Sequence, residues 1–109
     1  MNIQITAKKI DIPQDIREFA REKFSRIEKF NSKVQGVDAV IKAEEHGIIC
    51  ELIIRISNRE PVIIEVSGDS IQACVDLALN KAERQVRKDK ERDSARRRIT
   101  KSSEERDMP

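Results

Sequence analysis

Ten basic side chains fall between Lys81 and Lys101, against four acidic ones (Glu83, Asp89, Glu91 and Asp93). Placed on a helix at about 100° per residue, Lys81, Arg84, Lys88, Arg92 and Arg96 share one arc of roughly 120° that borders an apolar stripe. Cations about one helical turn apart can meet successive phosphates of a nucleic-acid backbone. The competing reading is a solvated helix face held by local pairs. Glu83 stands four residues before Arg87, and Asp89 three before Arg92. Two features favour a polyanion partner: the arc holds almost no acids, and it continues past the last apolar position of the stripe, Val86.

A second signal lies on an earlier helix. Lys23 sits inside an apolar arc, between Phe19, Phe24 and Ile27. A lysine at the margin of a core, with its amine reaching for water, explains this equally well. If the two helices lie side by side, Lys23 and Arg26 would face the cationic arc across a groove, with Lys8 and Lys9 on its rim. Other chemistry finds little support. Cys50 and Cys74 take inward positions and read as buried structural thiols. They form no CxxC pair and have no histidine at metal-ligand spacing, and His46 is the chain's single histidine. His46 reads as a turn residue, with no nucleophile beside it. Glu44-Glu45 reads as solvated turn chemistry. There is no glycine-rich phosphate loop. No catalytic residues, no metal, no cofactor and no small-molecule substrate are expected, and the protein is not expected to be an enzyme.

The elements that must position these residues follow from periodicity. Ile3 and Ile5 alternate with polar neighbours as a strand. Asp11-Ile12-Pro13 opens a helix whose stripe is Ile16, Phe19, Ala20, Phe24, Ile27 and Phe30, ended by Asn31-Ser32 and Gly36. Strands are predicted over 37–43, 48–57 and 62–67. The turn Glu45-His46-Gly47 and the loop Asn58-Arg59-Glu60-Pro61 separate them. Such short loops favour antiparallel neighbours. Ser70 caps a long helix with apolar positions Ile71, Cys74, Val75, Ala78, Leu79, Ala82 and Val86. The order is β-α-β-β-β-α. This is an α+β fold, a four-stranded sheet, read as antiparallel, with two helices on one face. Residues 1–93 form the domain, and 94–109 read as a charged, disordered tail.

The 109-residue chain carries 22 basic and 20 acidic side chains, a net charge of +2. That near-balance hides an asymmetry. Residues 1–80 hold 11 basic and 13 acidic side chains, whereas 81–101 carry a net +6. A mildly acidic body thus bears a basic C-terminal segment. No apolar run approaches a membrane span, no signal-peptide layout is present, and two cysteines make no disulfide framework. A cytoplasmic, monomeric protein with no membrane partner is expected.

Aromatics are 3% of the chain, three Phe with no Tyr or Trp, and all three Phe lie on the first helix's core stripe. Base stacking is therefore not expected, which favours readers of phosphates and shape in structured RNA. The element order is similar to that of double-stranded-RNA-binding domains, though the Gly-Pro-x-His loop of that family is missing.

The residues also resemble a second family more closely, over Met1 to about Arg92. The N-terminal markers are Asn2-Ile3-Gln4-Ile5-Thr6, Ile16-Arg17-Glu18-Phe19 and Lys23-Phe24-Ser25-Arg26-Ile27-Glu28-Lys29-Phe30. The more specific marker is Ala73-Cys74-Val75-Asp76-Leu77-Ala78 followed by Asn80-Lys81-Ala82-Glu83-Arg84-Gln85-Val86-Arg87-Lys88. The chain resembles the ribosome hibernation-promoting factor and protein Y family, also called sigma-54 modulation proteins, in its short form. The resemblance implies a translation inhibitor of stationary phase and stress. It would bind 16S rRNA of the small ribosomal subunit between head and body, within the 70S ribosome, and block the tRNA and mRNA sites. It implies RNA contacts from Lys81, Arg84, Arg87 and Lys88, with Lys90 and Arg92 beside them. Departures from the family are Phe30-Asn31 where many members have Tyr-Phe, and Ile71-Gln72 where they have Met-Tyr. Residues 94–101 are basic where the protein Y subtype ends in an acidic tail. The alternatives are a protein-interaction regulator using Val40, Ile49, Ile53 and Ile63 on an uncovered sheet face, and a generic structured-RNA-binding module.

Overall fold

The computed structural model describes the backbone of residues 1–102 and the side chains of residues 1–88. The elements run β1 (Asn2–Lys8), α1 (Gln14–Ser25), a 3-10 turn (Arg26–Lys29), β2 (Val34–Glu44), β3 (Gly47–Ile56), β4 (Val62–Gly68) and α2 (Ile71–Ser102). The β-α-β-β-β-α order and the two-layer α+β architecture are as the sequence predicts. Helix α2 continues as far as Ser102 through the first part of the segment read as a tail, and residues 103–109 lie outside the described residues.

The strands lie in the order β1-β2-β3-β4. Registry across the sheet builds continuous apolar rows on one face. Ile5, Ala39, Leu52 and Ile64 form one row, and Ile41, Cys50 and Val66 another. The two helices cover this face. Ala20 and Phe24 from α1, Ile27 from the 3-10 turn that follows it, and Val75, Ala78, Ala82 and Val86 from α2 are fully buried against it. Ser70 caps α2, its Oγ accepting from Ala73 N–H at 3.1 Å. Val86 is the last buried residue of the stripe among the described residues.

Three local features differ from the sequence reading. First, β1 pairs parallel with β2, so the sheet is mixed and not antiparallel. The connection between them carries a whole helix, and such a crossover returns the chain in the same direction. Second, the α-helix stops at Ser25 and tightens into the 3-10 turn, and Gly36 lies inside β2 instead of ending the helix. Asn31, which the sequence reading also named, follows the 3-10 turn and holds the chain's exit. It is buried, and its side-chain oxygen accepts from Lys33 N–H at 3.0 Å. Third, the β2–β3 register shifts between Val34 and Gly36. This bulge turns both Val34 and Val37 inward, which a regular strand cannot do for residues three apart. Gly36 has its own constraint: a Cβ there would stand 2.2 Å from an Arg55 guanidinium nitrogen. The missing side chain lets Arg55 lie across β2 to pair with Asp38.

Candidate nucleic-acid interface

The stripe that α2 buries dictates what its flanks expose. Lys81, Arg84 and Lys88 are all exposed. Lys81 Nζ lies 3.4 Å from the Glu65 carbonyl oxygen of β4. The cationic arc therefore runs along the β4 side of the helix. Arg84 and Lys88 make no ion pair or hydrogen bond among the described residues. From Lys81 to Lys88 the arc spans roughly 10 Å at the helical rise. Lys90 and Arg92 follow on the same helix, and their side chains lie outside the described residues.

The opposite flank of α2 meets the first helix. There an open groove of about 510 Å³ is lined by Lys23, Arg26, Lys29 and Phe30 on one side and by Asp76, Asn80 and Glu83 on the other. Lys23 Nζ stands 3.4 Å from Asp76 Oδ1 and 5.4 Å from the Phe19 ring centre. Arg26 pairs with Glu22 at 3.0 Å. Arg87 donates to Glu83 Oε2 at 3.0 Å while its guanidinium lies 5.3 Å from the Phe30 ring centre.

This arrangement corrects the geometry expected from the sequence. Lys23 and Arg26 do line an interhelical groove, but they face carboxylates, not the cationic arc. Helical spacing puts Asp76, Asn80, Glu83 and Arg87 on one flank of the stripe and Lys81, Arg84 and Lys88 on the other. Only tertiary packing decides which flank meets α1. Lys8 is not on the groove rim either. It alternates onto the uncovered sheet face, in register with Lys42. Phe30 is half-buried and borders the groove, so not every aromatic ring is spent on the core. Lys29 escaped the sequence reading altogether. The change from α to 3-10 winding at Ser25 stacks Arg26 and Lys29 three residues apart on one line. No periodicity in the sequence announces that change.

The remaining candidates sit apart. Burial pushes the Cys50 thiol up to about 12, with Cys74 and Glu51 adding to the shift. Cys74 is raised by burial and by Asp69, and its Sγ lies 3.0 Å from the Ile48 carbonyl oxygen. Neither is a nucleophile at neutral pH. His46 is exposed on the β2–β3 turn. Among the described residues no three His, Cys, Asp or Glu side chains gather as a metal-holding set. No described helix is long and apolar enough to cross a membrane.

The pattern of the family described as sigma 54 modulation protein / S30EA ribosomal protein matches residues 3–94. The chain belongs to this family. The matched span takes in both walls of the groove and the arc from Lys81 to Arg92. A ribosome hibernation promoting factor of Pseudomonas putida is 26% identical over 92 residues, covering 84% of this chain and 89% of that relative. The factor of the same name from Escherichia coli (strain K12) is 25% identical over 92 residues, and 96% of its length is covered. A solved ribosomal subunit interface protein from Coxiella burnetii superposes with a TM-score of 0.76 at 23% identity, over 83% of this chain and 98% of that one. The N-terminal domain of Thermus thermophilus Protein Y superposes with a TM-score of 0.71 at 20% identity, over 81% of this chain and 98% of that one. These two likenesses establish that the fold is shared.

Proposed function

We propose that this family member is a non-enzymatic, ribosome-associated hibernation factor of the cytoplasm. It binds as a monomer to 16S rRNA of the small subunit, between head and body, and blocks the tRNA and mRNA sites. The observation that carries the reading is the exposed flank of α2, where Arg84 and Lys88 stand unpaired among the described residues beside Lys81. Cations without internal partners can contact phosphates with no competing ion pair to break first. The family match and the relatives' names support a ribosomal partner.

Reversing Lys81, Arg84 and Lys88 together to Glu is expected to abolish co-sedimentation with small subunits at moderate salt. All three are exposed, so the fold should persist, which circular dichroism checks. A folded triple variant that still co-sediments means that another surface does the binding.

One observation favours a protein partner. Ile63 is 64% exposed and pairs in register with Ile53 on the sheet face that no helix covers. Val40 and Ile49 lie on the same face. Salt separates the two readings. Phosphate binding falls steeply as salt rises, whereas association through an apolar face scarcely responds.

A further inference from the structure

The groove between the helices has opposite charges on its two walls. One wall carries Lys23, Arg26 and Lys29, and the other carries Asp76 and Glu83, with Phe30 also in the lining. A site for a phosphate group alone would not present carboxylates. A ligand that is anionic at one end and rich in N–H donors at the other suits both walls. An unpaired nucleotide is such a ligand, with a phosphate for the cations and a base edge for the carboxylates.

The carboxylates have capacity to spare. Asp76 meets Lys23 through Oδ1, and Glu83 accepts from Arg87 through Oε2. Among the described residues, no hydrogen bond occupies Asp76 Oδ2 or Glu83 Oε1. An ionised carboxylate only accepts, and it does so at about four lone-pair positions. Of the four RNA bases, guanine alone presents two adjacent donors, N1–H and the N2 amino group, on its Watson–Crick edge. The other three set an acceptor beside their donor, which a carboxylate repels. The Phe30 ring, with the Arg87 guanidinium above it, offers flat surfaces of the kinds on which unstacked bases rest. At about 510 Å³ the groove has room for a nucleotide.

We propose that this groove holds an unpaired guanine nucleotide of the RNA to which the α2 flank binds. The base edge lies against Asp76 or Glu83, and its phosphate against Lys23, Arg26 and Lys29. The inference rests on the proposed RNA-binding function and adds to it a base preference that phosphate contacts cannot supply.

The test uses the full chain and fluorescein-labelled, unpaired oligoadenylate RNA with or without one central guanosine, read by anisotropy at low salt. The guanosine oligonucleotide is expected to bind roughly fivefold to tenfold more tightly, the discrimination of one exposed bidentate contact. The D76N/E83Q variant replaces acceptor-only groups by amides and is expected to bind both oligonucleotides equally. Equal binding by the unaltered protein, or a guanosine preference that survives in D76N/E83Q, overturns the proposal. So does free GMP if it binds as tightly as the guanosine oligonucleotide, because the site would then serve a free nucleotide. Co-sedimentation with small subunits is measured on the same preparations. If co-sedimentation persists without a guanosine preference, the groove assignment alone falls. If the unaltered protein does not co-sediment, the ribosomal reading falls whatever the anisotropy shows.

Discussion

Arg84 and Arg87 lie three residues apart on one helix, and their surroundings give them different work. Arg87 is held by Glu83 and rests over Phe30, whereas Arg84 is exposed and unpaired among the described residues. Helical periodicity separates these two roles from sequence, because Glu83 stands one turn before Arg87. It cannot reveal the Phe30 contact, which depends on where α1 lies. Cys50 and Cys74 are the reverse case, since strand alternation and helical spacing alone predict their burial. At neutral pH neither thiol should react with a thiol-specific reagent until the protein unfolds. Burial disfavours the Cys50 thiolate, so the folded protein keeps that proton where the unfolded chain, near 9.0, loses it. This contribution to stability is complete below about pH 9 and is lost as pH rises towards 12. Cys50→Ala is expected to lose less stability than the unaltered protein between about pH 8 and about pH 10.5 in urea unfolding. An identical loss in both would show that Cys50 has no part in it.

At the scale of elements, each edge strand of the sheet is met by cations from a helix. Arg17 and Arg21, one turn apart on α1, donate to the Ile5 and Ile3 carbonyl oxygens of β1 at 2.8 and 2.9 Å. Lys81 reaches Glu65 on β4. Edge carbonyls left open invite pairing with another chain. The double variant R17A/R21A is expected to lower unfolding free energy by about 1–2 kcal/mol and to promote self-association, read by urea titration and light scattering. Unchanged stability and a monodisperse sample would show that water serves these carbonyls equally well. The strands and helices themselves are legible in the sequence, since Cys50, Leu52, Ile54 and Ile56 alternate and the α2 stripe repeats every three to four residues. The parallel β1–β2 pair is not, because strand pairing is a long-range choice. Nor is the bulge at Val34–Gly36, because it is a mismatch of register with β3, a strand some twenty residues later, where Arg55 lies over Gly36.

At the scale of the molecule, charge and architecture agree. The acidic excess of residues 1–80 is spread over a body that the helices and sheet close, and the net +6 of 81–101 begins along the last buried turns of α2 and continues past Val86, where the stripe ends. The protein thus exposes one cationic helical flank while its core stays apolar. The cationic flank could be read from spacing, but its position beside β4 and away from Lys23 could not. In the proposed function this flank seats the protein on 16S rRNA in the cleft between head and body of the small subunit. Hydroxyl-radical footprinting of 16S rRNA, in small subunits with and without the full chain, tests it most directly. The account predicts protection of the backbone lining that cleft, lost with the K81E/R84E/K88E variant. A 16S rRNA pattern unchanged by saturating protein, or protection confined to a surface outside the cleft, would contradict it.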